Sequence, residues 1–339
     1  MRYKPLGNSG LIVSELCLGT MIFGEDSKRS TPADEAENII HHYLDKGGNH
    51  IDTANVYADG RSEEIVGTTI QDRRDQVVLA TKVRFAMGDG PNNQGLSRHH
   101  IIRSVEDSLR RLNTDYIDLL YMHCWDPVTP LEESLNAFND LVRQGKVRYI
   151  GVSNFKAWQL MKSLAISDAN GWARFIAAQY QYSLVVRDIE DEFIELCLSE
   201  GVGITPWGPL GGGFLSGKYR ADQRPKDPEE GRLSTTPDQD EEAWVRRATD
   251  QNWQILEAIK QVISDHPSDT YSQVALAWLL TQPAVDSVVI GVRTLEQLQD
   301  NLDAADLQLT EAQLDNLDKA SLTAKGYPYR FLELYGSRN

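Results

Sequence analysis

The sequence is short of the features that would place it quickly, and each shortage excludes something. No apolar run approaches the roughly 18 residues of a membrane-spanning helix, and Met1-Arg2-Tyr3-Lys4-Pro5-Leu6-Gly7 lacks the continuous apolar core of an export signal. A soluble, unexported chain without a membrane partner is expected. Cysteine is scarce: Cys17, Cys124 and Cys197 are odd in number and far apart, which excludes a disulfide framework or thiolate metal site and suits the reducing cytoplasm. Positive charge is also short, with 34 Lys and Arg against 50 Asp and Glu for a net charge of −16. Nucleic-acid affinity rests on cations neutralising phosphates, so no nucleic-acid partner is expected, although a local basic pocket is compatible with this balance. No GxGxxG follows the first apolar run, which argues against a doubly wound dinucleotide fold. The histidine pairs His41-His42 and His99-His100 are adjacent and lack the i, i+4 spacing of a helical zinc site; they are expected in solvent, and no metal is expected.

What is present is a repeated unit. Hydrophobic residues at 41% and charged residues at 25% fit a globular chain with a sizeable core. At 339 residues it could hold two average domains or one large barrel. The pattern decides for one domain over 1–339. His50-Ile51 ends in Asp52, with Tyr57 on the loop beyond; Val77 to Thr81 runs into Lys82; Ile117 to Met122 runs into His123; Tyr149 to Val152 runs into Ser153 and Asn154. Each run has strand length and ends in a group able to do chemistry. In a closed parallel barrel all strands point one way, so these ends converge on one rim.

The rest of the chain extends the pattern. A small N-terminal hairpin precedes the first barrel strand, Leu16 to Leu18, which leads into Gly19, Thr20 and Met21. Thr31-Pro32 is expected to cap the first helix and Gly47-Gly48 to end it; Ser97 should cap the helix striped by Ile101, Val105 and Leu109. Thr129 with Glu132, Thr270 with Gln273, Thr294 with Gln297, and Thr310 with Gln313 read as capping boxes. Ala177 to Tyr182 and Val202 to Trp207 read as the sixth and seventh strands, and Asp286 to Ile290 as the eighth. A helix is expected over Trp244 to Ile263. The Pro-rich charged stretch from Gly208 to Asp240 is longer than a compact fold normally carries without use, and is expected to be a lid or clamp over the rim.

Asp52, Tyr57, Lys82 and His123 are the constellation most suited to catalysis. A phenol is a poor proton donor at neutral pH unless a cation stabilises its anion, and Lys82 is placed to supply one. At about 4 Å and an effective dielectric near 20, the attraction is about 4 kcal/mol before desolvation subtracts from it. Asp52 would hold Lys82 and soften its field. Singly, each residue has an ordinary structural use: a turn-forming Asp, a snorkelling Lys, a structural His. Four together on neighbouring strand ends outweigh those uses.

Two stretches suit phosphate. Gly208-Pro209-Leu210-Gly211-Gly212-Gly213 leads to Gly217-Lys218, close to a Walker loop, but Tyr219 stands where a metal-binding hydroxyl is required; backbone N–H groups with Lys218 and no metal fit better. Ile290-Gly291-Val292-Arg293-Thr294 joins a strand to a capped helix, and helix N-termini attract phosphate.

Taken in order, these motifs resemble the aldo-keto reductase family over almost the whole chain. Asp52-x-Ala54-x-x-Tyr57, Lys82, His123, Val147 through Phe155, and Gly201 through Tyr219 carry the likeness. The resemblance implies a (β/α)8 TIM barrel with an N-terminal β-hairpin and long rim loops, and NADPH-dependent exchange of hydride with an aldehyde, ketone or sugar carbonyl. It implies that Tyr57 is the general acid/base. Ser153, Asn154 and Gln179 would bind the carboxamide of NADP, and Trp207 would stack on the nicotinamide. Gly19, Thr20, Met21 and Asp52 would flank the cofactor; Gly208, Pro209, Leu210, Gly212, Lys218 and Arg232 would cross it; Gly291, Arg293, Gln297 and Asn301 would hold the adenosine end. Trp125, Phe85 and Tyr329 of the aromatic tail are expected in the substrate pocket. Potassium-channel β subunits resemble the same family, so the alternative is a cofactor-binding regulatory partner with little turnover.

Overall fold

The computed structural model describes residues 1–25, 27–28, 30–227, 230–265 and 267–336. The first two strands, β1 (Tyr3–Pro5) and β2 (Ile12–Ser14), form an antiparallel hairpin. Eight parallel strands follow: β3 (Leu16–Gly19), β4 (His50–Asp52), β5 (Val78–Val83), β6 (Ile117–Met122), β7 (Val147–Ser153), β8 (Phe175–Gln179), β9 (Gly203–Ile204) and β10 (Val288–Gly291). Their order is β10-β3-β4-β5-β6-β7-β8-β9. The last seam is closed by a parallel bridge between Ile204 and Val285, with Asp286 N–H donating to the Ile204 carbonyl (3.0 Å) and Val289 N–H to that of Pro206 (2.9 Å). The fold is the expected (β/α)8 barrel.

Helices α1 (Ala33–Asp45), α2 (Arg61–Thr69), α3 (Arg98–Arg111), α4 (Leu131–Arg143), α5 (Ala157–Asn170) and α6 (Phe193–Glu200) alternate with the strands. The connection from β9 to β10 carries the one-turn helices α7 (Arg232–Thr235) and α8 (Trp244–Arg247), then α9 (Asp250–Asp265) and α10 (Tyr271–Leu280). After β10 come α11 (Leu295–Asp303), α12 (Glu311–Ser321) and α13 (Tyr329–Tyr335). The strands are buried on both faces, as in β5, where all six residues are inaccessible; such continuous burial is the mark of a parallel sheet covered by helices. The hairpin closes the floor. Leu6 and Val13 pack fully buried against Val78, Leu119 and Ala177, and Gly7 N–H donates to Asp286 (2.7 Å) just ahead of β10.

Several local expectations are corrected. Thr129 is no cap: its hydroxyl donates to Asp126 (2.7 Å), and Pro130 stands at the N-cap of α4. Thr31 likewise gives way to Pro32, and is paired with Phe23 instead. Thr294 accepts from Gln297 N–H, but the Gln297 side chain reaches back to Arg293 N–H (2.8 Å), one residue beyond a reciprocal box. The helix expected over Trp244 to Ile263 breaks at Ala248 and restarts because Thr249 Oγ1 accepts from Asn252 N–H (3.2 Å). His100 is buried on the inner face of α3 and not in solvent.

Candidate active site

The barrel geometry brings the chemistry-bearing strand ends to one mouth. Gly19 stands opposite Asp52, Asp52 opposite Ala80, Lys82 opposite Tyr121 and Ser153 opposite Gln179. Alternation along β5 sends Lys82 into the barrel and Thr81 out of it. Lys82 is buried to 1% exposure, and all three of its N–H donors are occupied. They reach Asp52 Oδ2 (2.5 Å), the Thr53 carbonyl (2.9 Å) and the Tyr57 hydroxyl (3.2 Å). The other Asp52 oxygen accepts from Gln179 Nε2 on the far side of the barrel (2.9 Å).

The directions of these bonds matter. Because the Tyr57 oxygen accepts from Lys82, its own hydrogen is not used in that contact, and Tyr57 lines the cavity. Burial pulls the Lys82 ammonium down, but Asp52 and Tyr57 more than offset it and hold it above its usual value, so it is charged. Burial pushes the Tyr57 phenol above its usual value; Lys82 and Arg232 pull against this without cancelling it, while Asp52 adds to it. Desolvation therefore outweighs the Coulomb attraction anticipated from sequence, and Tyr57 rests protonated at neutral pH. Burial, then Lys82 and Arg84, keep the His123 imidazole well below its usual value, so it is neutral. Its ring meets Tyr57 edge-on (centroids 5.9 Å, 82°) and Phe85 at 4.7 Å.

One cavity of about 570 Å³ runs from this group along the rim. Thr20, Met21, Asp52, Tyr57, Phe85 and His123 line one end, with Gly19 at its edge. Ser153, Asn154, Gln179 and Trp207 form the middle, and Asn154 is held by donating to the His123 carbonyl (2.9 Å) and to Ser153 Oγ (2.9 Å). Gly208, Pro209, Leu210, Gly212 and Lys218 lead to the far end, where Gly291 ends β10, Arg293 precedes α11, and Gln297 and Asn301 lie one turn apart on α11. Gly212 and Gly213 are both left-handed (φ 69° and 88°), and a Cβ at Gly213 would come 3.3 Å from Lys218 Nζ. Only a single 3-10 turn, Phe214–Ser216, follows, and no α-helix starts at Lys218, in keeping with a loop that is not a Walker motif.

The far end is cationic. Among the described residues no carboxylate pairs with Lys218 or Arg293. Desolvation on the inner side of Lys218, whose outer side stays open to solvent, and then the like charge of Arg293 pull its ammonium below the usual value. Both cations stand beside the capped N-terminus of α11, with the Lys218 ammonium 5.0 Å from the centroid of the Tyr219 ring. Arg232 also lines the cavity but pairs with Glu242 Oε2 (2.7 Å), which is itself only 3% exposed. Glu242 was not anticipated; within Asp238-Gln239-Asp240-Glu241-Glu242 it is indistinguishable by sequence from a solvated acidic run. Ile22 and Val56, which adjoin Met21 and Tyr57, complete the apolar wall.

Two residues expected in the substrate pocket are elsewhere. Trp125 turns its ring outward onto Phe155 (5.1 Å) and Trp158 (6.0 Å). Tyr329 is hydrogen-bonded to Glu192 on the outer side of the barrel, within a tail helix that buries no residue. Neither lines the cavity.

The closed (β/α)8 barrel thus carries a buried Asp-Lys pair, a phenol in contact with it, a neutral histidine and two cations along one rim cavity. The pattern of the aldo/keto reductase family matches residues 15–322, and the chain belongs to that family. It is 38% identical over 320 residues to an uncharacterized oxidoreductase of Bacillus subtilis (strain 168), covering 91% of this chain and 92% of that one. It is 36% identical over 326 residues to a probable voltage-gated potassium channel subunit beta of Arabidopsis thaliana (94% and 96% covered). To an aryl-alcohol dehydrogenase of Phanerodontia chrysosporium, named as using NADP(+), it is 33% identical over 346 residues (97% and 88% covered). The family and these relatives place the chain among oxidoreductases acting on carbonyl groups, and the family uses nicotinamide cofactors. Among the described residues no helix is long and apolar enough to cross a membrane.

Proposed function

We propose that the protein reduces aldehydes or ketones with NADPH, with Tyr57 as the acid that protonates the developing alkoxide. The observation that carries this reading is the Tyr57 hydroxyl, which takes a hydrogen bond from charged Lys82 on a residue that lines the cavity. A nicotinamide bound along the rim supplies the hydride when present. The residues fit such a group: Trp207 lines the cavity with an aromatic ring, Asn154 and Gln179 bring amides, and Lys218 and Arg293 bring charge not paired with a carboxylate among the described residues. Arg293, beside Gln297 and Asn301, favours the form with a 2′-phosphate, since charge-assisted hydrogen bonds contribute about 1.5–3 kcal/mol.

The chemistry of the chain's own groups follows from their charge states. Asp52 fixes Lys82, and Lys82 stabilises the phenolate left after proton transfer. Neutral His123 donates a second hydrogen bond to the carbonyl oxygen and orients it. The three cysteines are unpaired, consistent with a reducing compartment such as the cytoplasm.

The test is NADPH oxidation, followed by absorbance, against a panel of 4-nitrobenzaldehyde, aliphatic aldehydes, ketones and aldose sugars. Carbonyl-dependent turnover is expected. Tight NADPH binding without turnover on any member would instead favour a cofactor-sensing partner protein.

A further inference from the structure

The turn that carries Tyr57 is in a conformation that its own sequence does not favour. Ala58 (φ 48°, ψ 39°), Asp59 (φ 54°, ψ 34°) and Gly60 (φ 97°) are three successive left-handed residues, and two of them carry a Cβ. Such a run persists only where the surroundings hold both of its ends. The near end is tied by Tyr57 N–H to the Ala54 carbonyl (3.1 Å) and Asp59 N–H to that of Val56 (3.3 Å). The far end is the first turn of α2, where Ser62 donates to the Thr20 carbonyl (2.8 Å) and meets Thr53 Oγ1 (3.0 Å).

Glu63 is the next residue, and it is fully buried. Thr81 donates its hydroxyl to Oε1 (2.6 Å), and Arg111 of α3 donates Nε to Oε2 (2.7 Å). Arg111 lies flat against the turn: a Cβ on Gly60 would come 2.6 Å from its Cδ. Thr81 directly precedes Lys82 on β5. One carboxylate outside the barrel wall thus joins the helix behind Tyr57, the strand bearing Lys82 and the arginine that packs on the turn.

Resting on the reading of Tyr57 as the acid, we infer that Glu63 is a positioning residue: through Thr81 and Arg111 it fixes the Tyr57 turn against the Lys82 strand and so sets the phenol–ammonium contact. Burial raises the Glu63 carboxyl above its usual value, and Arg111 and Thr81 pull it back. A buried carboxylate is costly to keep unless its charge and both oxygens are used. Here a single anion answers a guanidinium on one oxygen and a hydroxyl on the other.

The experiment compares Glu63→Gln and Thr81→Val in the full-length protein, each with Tyr57 intact and in the Tyr57→Phe background, on the best carbonyl substrate of the panel above. Thermal unfolding, NADPH affinity, KM and kcat are measured for each. With Tyr57 intact, kcat of Glu63→Gln is expected to fall about 10- to 100-fold, the scale of a displacement of roughly 1 Å. NADPH affinity should be unchanged. In the Tyr57→Phe background neither substitution should lower the remaining rate further, because the group being positioned has lost its function. Thr81→Val keeps the side-chain shape and removes one hydroxyl, so it decides the question where Glu63→Gln does not fold. Parent-level kcat in these folded variants, with Tyr57→Phe impaired, overturns the role of Glu63 alone. Equal losses in both backgrounds do the same, by showing general loosening of the wall. A parent-level rate in Tyr57→Phe overturns the acid assignment and this inference with it.

Discussion

The two ends of the cavity are built on opposite plans. At the Tyr57 end the charged groups are matched from within: Asp52 has a partner on each oxygen, Lys82 has three, and both are buried. At the Arg293 end the charges are left unmatched, on a glycine turn and a helix start open to solvent. The first plan suits groups that act on one another, because preorganised partners need no rearrangement during reaction. The second suits groups that await an incoming anion. Function is therefore divided between an end where substitution disturbs an existing network and an end where it removes a future contact.

The sharpest way to break this contrast is Tyr57→Phe, which keeps the ring and removes the hydroxyl. Carbonyl reduction is expected to fall by about 10²- to 10⁴-fold, the usual contribution of a positioned acid. NADPH affinity should be unchanged, as checked by fluorescence titration. Lys82→Met should give a comparable loss that does not add to the first, since both act on one proton. It should also lower thermal stability, because it strands Asp52 in the interior.

Acidification tests the buried histidines at and beneath the first end. Burial holds His50, beneath the tetrad, down to about 4 against an unfolded value of 6.5, and His123 is shifted the same way. Both are neutral when folded, so the unfolded chain binds more protons below pH 6.5. The sign follows: stability is full above about 6.5 and is lost as pH falls toward 4, by about 3 kcal/mol for His50 at roughly 1.36 kcal/mol for each pH step. Urea unfolding at several pH values measures it, and His50→Gln should flatten the curve by that amount. NADPH affinity should also weaken over this range, because a 2′-phosphate takes up a proton near about pH 6 and loses part of its attraction to Arg293.

Arg293→Ala tests the open end. A loss of about 1.5–3 kcal/mol of binding to NADPH but not NADH, roughly tenfold or more in preference, is expected. Added salt should weaken NADPH binding while sparing kcat, because exposed charges are screened and buried ones are not. Equal cofactor affinities in the parent protein would remove the basis of the contrast. The smallest effect is assigned to the tail: removal of residues 326–339 should leave KM unchanged, since Tyr329 and its neighbours lie outside the cavity. A raised KM would return the tail to the substrate site.

What could be read from the sequence was what depends on period and order. Strand ends are fixed by short apolar runs, so Asp52, Lys82, His123 and Asn154 were legible, as were the caps at Ser97, Thr270 and Thr310, which need only local geometry. Thr129 failed because a competing acceptor, Asp126, is close in space and takes its hydroxyl. The direction of Trp125 and of the tail was illegible for a related reason: aromatic density signals burial without saying against what. The balance at Tyr57 was only half legible, because a Coulomb attraction can be put down from charges alone, whereas the desolvation that subtracts from it requires knowing how deeply the phenol is enclosed.

The floor hairpin ties the beginning of the chain to its last third. Lys4 reaches the Val285 carbonyl across 281 residues, Gly7 reaches Asp286 across 279, and Leu16 pairs in register with Val288. During synthesis from the N-terminus, the edge of β3 must therefore wait unpaired until nearly the whole barrel has emerged. Closure comes last, through the contacts of longest separation, which are the slowest to form. An unpaired parallel edge is also a template for wrong pairing. The ribosome-bound chain is thus exposed at its oldest strand for longer than at any other.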